Sequence, residues 1–387
     1  MPSPEESTVR QKAAADYTMR LFMSVDVSGS TAFKFSSSIA DRNADVTTSK
    51  LGWFSIIKKF YETFHTTFMK LIGDPTPNCT RLWKALGDEL IYQAEIGTRD
   101  DAAKLIENFI SAIKTTRGVV QGLSKGLDLK AAAWIADFPA RNAVITVDGL
   151  VDQYAVGGGA AATVSEVGID YIGPSMDTGF RIGKVASRRK MAISVELAAI
   201  LAGAQQTKQS YPFQFGYDGR EELKGVLGGE AYPAVWLDVE DDPKRREAHR
   251  REASMLHRQP YLVAETVLDF CVSYIAASKW MEMPYLSGDQ QDGLFSTIPD
   301  SHIEYASLEI ERLEKEAGLY QPADLPPDSI PEDAAMTADR LIDSMPPMLR
   351  KLAEEASQGT ATPEAGEKRS VPDTSTAQAT AAASPKV

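Results

Sequence analysis

Cysteine is nearly absent. The chain has two, Cys79 and Cys271, with no paired spacing, which leaves neither a disulfide scaffold nor a thiolate metal site to read. Its four histidines, His65, His249, His257 and His302, are scattered and form no zinc signature. No secretory leader is legible, so a reducing cytoplasm is the expected setting. A basic excess is missing too. The formal charge of −13 argues against a nucleic-acid binder, although a small anionic ligand can still meet local positive charge. Nor is there an apolar run of membrane length. The most apolar late stretch, "YLVAETVLDFCVSYIAA", carries Glu265 and Asp269 and reads as an amphipathic helix rather than a bilayer span.

What is present is the composition of a soluble globular protein, 43% hydrophobic and 25% charged over 387 residues, enough for one sizeable core with appendages. From Arg20 to about Val239 strand and helix signals alternate. "MRLFMSVDV" reads as a strand. A long helix follows, with Phe54, Ile57, Tyr61, Phe64, Phe68 and Leu71 on one face. "TRLWKALGDELIYQAEI" reads as two strands turning at Gly87-Asp88. "RDDAAKLIENFISAIKTTRGVV" is a helix with acids in its first turn and bases in its last. "LDLKAAAWIADF" and "AYPAVWLDV" are strands, and "MDTGFRIGKVA" is a helix. The order predicts an α+β fold: a ferredoxin-like, antiparallel-rich sheet with helices on one face, followed by a helical C-terminal extension. The expected domains are residues 17–240, a charged connector and helical extension over 241–345, and a low-complexity tail over 346–387 that cannot bury enough surface to fold alone.

Asp26 ends the first strand and Asp88 sits at the hairpin tip. On neighbouring strands the two carboxylates converge at one sheet edge, where they read either as turn aspartates or as oxygen ligands for hard divalent cations. Gly29 and Gly87 would let a triphosphate approach the backbone, and Glu89 reads as a further ligand or, preferably, a surface acid. Asp177 and Arg181 lie four apart on a helix, as an ordinary ion pair or as groups facing a sugar and a phosphate. "SRRK" beyond them reads as a solvated loop end or as phosphate-neutralising charge, and Lys224 carries the same two readings.

Taken in order, these pieces resemble the class III nucleotide cyclase family over residues 17 to 237. "DVSGST" is similar to its Asp-Ile-x-Gly-Phe-Thr, "KALGD" to its Lys-x-x-Gly-Asp, "DYIGPSMDTGFR" to its Asp-x-x-Gly and Asn-x-x-x-Arg motifs, and "LKG" to its strand lysine. The resemblance implies a class III cyclase-type catalytic domain in which Asp26, Val27 and Asp88 bind two divalent cations, Mn²⁺ or Mg²⁺. It further implies that Arg181 stabilises charge at the α-phosphate, Asp177 touches the sugar, Lys224 binds phosphate, and Lys84 with Asp170 contacts the base. A homodimer with sites at its interface is implied as well, with no nucleic acid and no membrane. Two positions depart from the pattern: Asp177 stands where the family has Asn, and Ser30 where it has Phe.

A lysine donor and an aspartate acceptor suit adenine and uracil alike. "GPSMDTGFRIGKVASRRKMAIS" resembles the bacterial pyrimidine cyclases of anti-phage defence (Pycsar) more than ordinary adenylate cyclases. The expectation is therefore a uridylate cyclase, turning UTP into cyclic UMP. An adenylate cyclase and an inactive cyclase-homology module that binds nucleotide remain as alternatives. Tyr61 is the candidate for a side chain that shortens the base pocket, with a plain core aromatic as the other reading.

Overall fold

The computed structural model describes residues 4–40, 52–73, 80–146, 168–289 and 293–319. Contacts divide the chain at Glu316, and the architecture below is that of the unit Met1–Glu316. Cys79, the proline-broken stretch after 320 and the tail over 346–387 lie outside the described residues.

A helix α1 (Pro4–Asp16) precedes strand β1 (Thr18–Ser28), which is buried on both faces from Leu21 to Val25 because it lies inside the sheet. After α2 (Ser30–Ala40) and α3 (Trp53–Ile72) comes the hairpin of β2 (Arg81–Leu86) and β3 (Glu89–Glu95). Helix α4 (Arg99–Leu123) then leads into β4 (Asp128–Phe138). Both β3 and β4 pair antiparallel with β1, giving the order β2-β3-β1-β4, which is the expected ferredoxin-like arrangement. Strands β7 (Lys190–Ile193), β9 (Tyr232–Asp238) and β8 (Phe215–Glu221) extend this to seven strands, with only the β4–β7 pairing parallel. A separate ribbon joins β5 (Ala143–Thr146) to β6 (Ile169–Ile172).

The two faces of the sheet carry different layers. Tyr92 on β3 meets Phe64 and Phe68 of α3 and Phe109 of α4, with ring centroids 5.0–6.4 Å apart. Phe22 and Trp134 are cross-strand partners on the other face, stacked at 5.6 Å, and there they meet Tyr171 of β6 and Phe180. Phe180 belongs to α5 (Pro174–Ile182). So α5 lies across the sheet from α3 and α4, where helices on one face alone were expected.

The buried stripe of α3 is Ile56, Ile57, Phe60, Phe64 and Phe68, while Phe54 and Leu71 are exposed. Aromatic residues on two sides of this helix make its periodicity ambiguous, and the ladder at 60, 64 and 68 is the one that meets Tyr92. Helix α4 starts on a Thr98–Asp101 capping box but runs on to Leu123, so its last turn holds no base. Arg117 is instead buried within the helix. It donates to Asp128 at 2.9 Å and to the carbonyls of Val239 and Arg188 at 2.8 and 2.6 Å. Helix α6 (Val195–Thr207) is buried almost all round, packed between α4 and α8 (Ala264–Ala277). In α8, Val267, Cys271 and Ile275 form the single buried stripe of an amphipathic helix. Helix α7 (Pro243–Met255) buries nothing, as its charge predicts, and α9 (Asp300–Leu319) closes the unit. No helix among the described residues is long and apolar enough to cross a membrane.

Candidate active site

Strand register brings the two acidic corners together. Asp26 lies opposite Glu89 on one side and Lys130 on the other, and the Val27 N–H donates to the Asp88 carbonyl at 3.1 Å. Gly29 and Gly87 both have φ in the left-handed region, at +86° and +70°. A side chain at Gly29 would strike the Gly126 carbonyl at 2.8 Å, so this glycine serves packing against its own chain, whereas Gly87 faces open space.

Asp26 and Asp88 are each already matched by an ammonium. Lys130 holds Asp26 at 2.8 Å, and that hydrogen bond pushes the lysine above its ordinary pKa. Asp88 accepts from the buried hydroxyl of Ser30 and from Lys34 at 3.3 Å. Thus the departure at position 30 puts a hydrogen-bond donor on Asp88. Glu89 is not a plain surface acid. It is half-buried, accepts from Ser24, and its carboxyl is raised by burial and by the charges of Asp26 and Asp88. Ser24, Asp26, Glu89, Lys130, Phe180 and Lys184 help to line a cleft of about 290 Å³. Tyr61 donates to the Gly87 carbonyl at 2.9 Å, which braces the hairpin turn from α3.

Among the described residues no group of three or more His, Cys, Asp or Glu side chains has metal-holding geometry. The donor set nevertheless fits hard cations. Two carboxylates adjoin with peptide carbonyls beside them, and each has recruited a lysine to relieve its charge.

A second cluster forms on β2 and β6. Lys84 and Asp170, 86 positions apart, meet at 2.7 Å. Lys84 lies over the Trp83 ring, and the Trp83 indole N–H donates to the Ile169 carbonyl at 3.0 Å, which ties β2 to β6. Asp170 also accepts from the Tyr171 N–H at 2.9 Å.

Helix α5 carries the third group. Asp177 is exposed and makes no ion pair with Arg181 among the described residues. The Arg181 Nε is buried and has no hydrogen-bond partner among the described residues. Lys224 is exposed, in a turn between β8 and β9 rather than on a strand. The "SRRK" cations are neither solvated nor free for phosphate: Arg188 holds Asp128 and Glu240, Arg189 holds Asp238 at 2.8 Å, and Lys190 holds Asp218.

No family model matches the chain, and no curated protein does. Solved structures similar to it include adenylyl and guanylyl cyclases. They include the adenylyl cyclase CyaB from P. aeruginosa, with 12% identity over 59% of this chain and 96% of that one and a TM-score of 0.39. The guanylyl cyclase Cya2 gives 13%, 58%, 92% and 0.36. The guanylate cyclase domain of RhGC from Catenaria anguillulae, in complex with GTP, gives 12%, 57%, 96% and 0.34. Likenesses this distant carry no weight on activity.

Lys34, Lys130 and the role of Ser30 were missed in the sequence. Lys130 was open to discovery, since "LDLKAAAWIADF" sets a single lysine in a mostly apolar central strand. Lys34 follows Ser30 by one helical turn, in a helix that was not foreseen.

Proposed function

We propose that the chain is a nucleotide cyclase acting in the cytoplasm as a homodimer, with residues 17–240 as its catalytic part. It converts UTP to 3′,5′-cyclic UMP and pyrophosphate, as a signal in bacterial anti-phage defence. The observation that carries the reading is the meeting of Lys84 and Asp170, the two residues assigned to the base from sequence. Both are partly exposed, so opening their ion pair costs about 1 kcal/mol or less. Uracil offers O4 to the lysine and N3–H to the aspartate, which satisfies both groups.

In the reaction the ribose 3′-oxygen bonds to the α-phosphorus. The bond from that phosphorus to the bridging oxygen breaks, pyrophosphate leaves carrying that oxygen, and the 3′-hydroxyl proton passes to solvent. Asp26, Val27 and Asp88 would hold two divalent cations in place of Lys130 and Lys34. Bound there, the cations supply Lewis acidity at the 3′-hydroxyl and the triphosphate. Arg181, whose Nε has no partner, meets the charge growing on the transferring phosphoryl group. Lys224 neutralises the departing phosphates and Asp177 accepts from the sugar. Dimerisation is supported by the exposed apolar side chains Leu82, Leu86, Ile172 and Phe180, carried by the elements that bear these groups. The defence role and the preference for UTP rest on the wording of residues 173–194.

One specific observation favours a second reading. The Lys84–Asp170 pair serves adenine equally well, through N1 and N6–H, which gives an adenylate cyclase. Incubating the purified chain with Mn²⁺ and each of ATP, GTP, CTP and UTP separates the two. Cyclic UMP is expected; turnover of ATP alone overturns the uridylate assignment, and turnover of none overturns the cyclase.

A further inference from the structure

Helix α5 has only nine residues, and its first turn is docked rather than free. Gly173, at φ +139°, precedes it, and a side chain there would lie 2.4 Å from the Asn142 Oδ1. The Ser175 N–H donates to that oxygen at 3.1 Å. The Asn142 amide donates in turn to the Ser175 hydroxyl at 3.1 Å and to the Asp137 carbonyl at 2.9 Å. It also reaches the Asp137 carboxylate at 3.2 Å. The other oxygen of that carboxylate meets the His302 Nε2 at 2.8 Å, from the first turn of α9 and 165 positions away. Asp137, Asn142 and His302 are all buried.

Burial alone would push the Asp137 carboxyl up, but the His302 hydrogen bond and the Arg141 charge bring it below the ordinary range. Two further contacts hold the same place. Arg141 donates to the Trp280 carbonyl at 2.8 Å, and the Tyr17 ring packs on His302 at 4.5 Å. Arg181 lies six residues beyond Ser175, about 9 Å along the helix axis.

We propose that His302 is a positioning residue for Arg181, acting through Asp137 and Asn142 on the first turn of α5. This rests on the cyclase reading for what Arg181 does, though not for the coupling itself. The residues after Val239 are then part of the catalytic apparatus. They hold the buried carboxylate that orients Asn142, and Asn142 fixes where the arginine helix begins. A shift of about 1 Å at a transition-state contact costs roughly 100-fold in rate.

Two measurements on the whole 387-residue chain test this. The first is amide hydrogen exchange. His302→Ala is expected to speed exchange at Asp177–Ile182 roughly tenfold or more, since it strips a charged hydrogen bond from a buried group. Helix α7 should be unchanged, and His302→Gln, whose amide can still donate to Asp137, should restore protection. Should His302→Ala not fold, Asn142→Ala interrupts the same chain one link nearer the helix. Unchanged exchange across α5 overturns the proposal, whatever the activity.

The second measurement is a double-mutant cycle on turnover. His302→Ala is expected to lower kcat roughly 100-fold with KM changed far less. In an Arg181→Ala background it should cost no more than about twofold, because the two changes act through one group. A full 100-fold loss in that background overturns the proposal. If α5 loosens but the wild-type protein turns over no triphosphate, the coupling stands and the cyclase reading falls.

Discussion

Arg117 and Arg181 are both arginines on helices packed against the central sheet, and their surroundings are opposite. Arg117 is buried with two aspartates and three carbonyls around its guanidinium, all supplied by the chain. Arg181 makes no hydrogen bond or ion pair among the described residues, and its Nε is buried and unmet. A buried donor left unpaired costs stability unless something else fills it. The saturated arginine is therefore architecture, joining α4 to β4 and to the ends of β7 and β9. The unsaturated one is, in the function proposed above, the group left to meet an anion. The acidic corner falls between them: Asp26 and Asp88 are matched, but by two partly exposed lysines that a more highly charged cation can replace.

The contrast breaks most sharply on substitution. If the proposed function holds, Arg181→Ala should lower kcat by roughly 10³-fold or more with little change in the unfolding midpoint, because the partner proposed for it is the transition state. Arg181→Lys should recover only part of this, since it lacks the planar fork. Arg117→Ala should do the reverse, costing about 3–5 kcal/mol in urea unfolding by leaving Asp128 and these carbonyls short of a buried donor. A stable Arg117→Ala protein would erase the distinction.

A smaller effect sharpens the site itself. Lys84→Ala should lower kcat/KM for the preferred triphosphate roughly 10–100-fold and flatten selection among bases, as expected for a lost charged hydrogen bond. Equal loss for every nucleotide would move Lys84 from the base to the phosphates.

The smallest effect concerns the saturated network. Burial raises the Glu240 carboxyl, but Arg188, the Asp242 backbone N–H and a side-chain hydrogen bond with Asp241 outweigh it and bring the pKa to about 2 from 4.5. A depressed carboxylate contributes stability that is whole above its unfolded value and fades as pH falls through the folded one. Stability should therefore tilt downward between about pH 4.5 and 2, and Glu240→Gln should reduce that slope in acid titration.

What was legible in the sequence follows from locality. The hairpin at Gly87-Asp88, the strand ending at Asp26 and the β-α-β-β-α-β order each announce themselves within a short window. Lys84 and Asp170 were matched one by one from motif wording, and they meet. Helix α6 was not seen because it is apolar on every side, and a helix without a polar face has no period to detect. The partners of the acidic corner were hidden for another reason. Lys130 faces Asp26 only through the β1–β4 register, and Lys34 reaches Asp88 only once α2 has folded beside the hairpin. The "SRRK" cations looked free because their acids, Asp128, Asp218, Asp238 and Glu240, lie far off in the chain.

The most direct test uses two broken proteins. Asp26→Ala lacks a carboxylate of the acidic corner and Arg181→Ala lacks the guanidinium, so each alone should turn over the triphosphate roughly 10³-fold or more slowly than the wild type. If each site of a two-fold dimer takes its acids from one protomer and its arginine from the other, a mixed dimer keeps one intact site of two. An equal mixture after subunit exchange should then regain about a quarter of wild-type turnover. A mixture as dead as its parts, with exchange verified, would contradict the account.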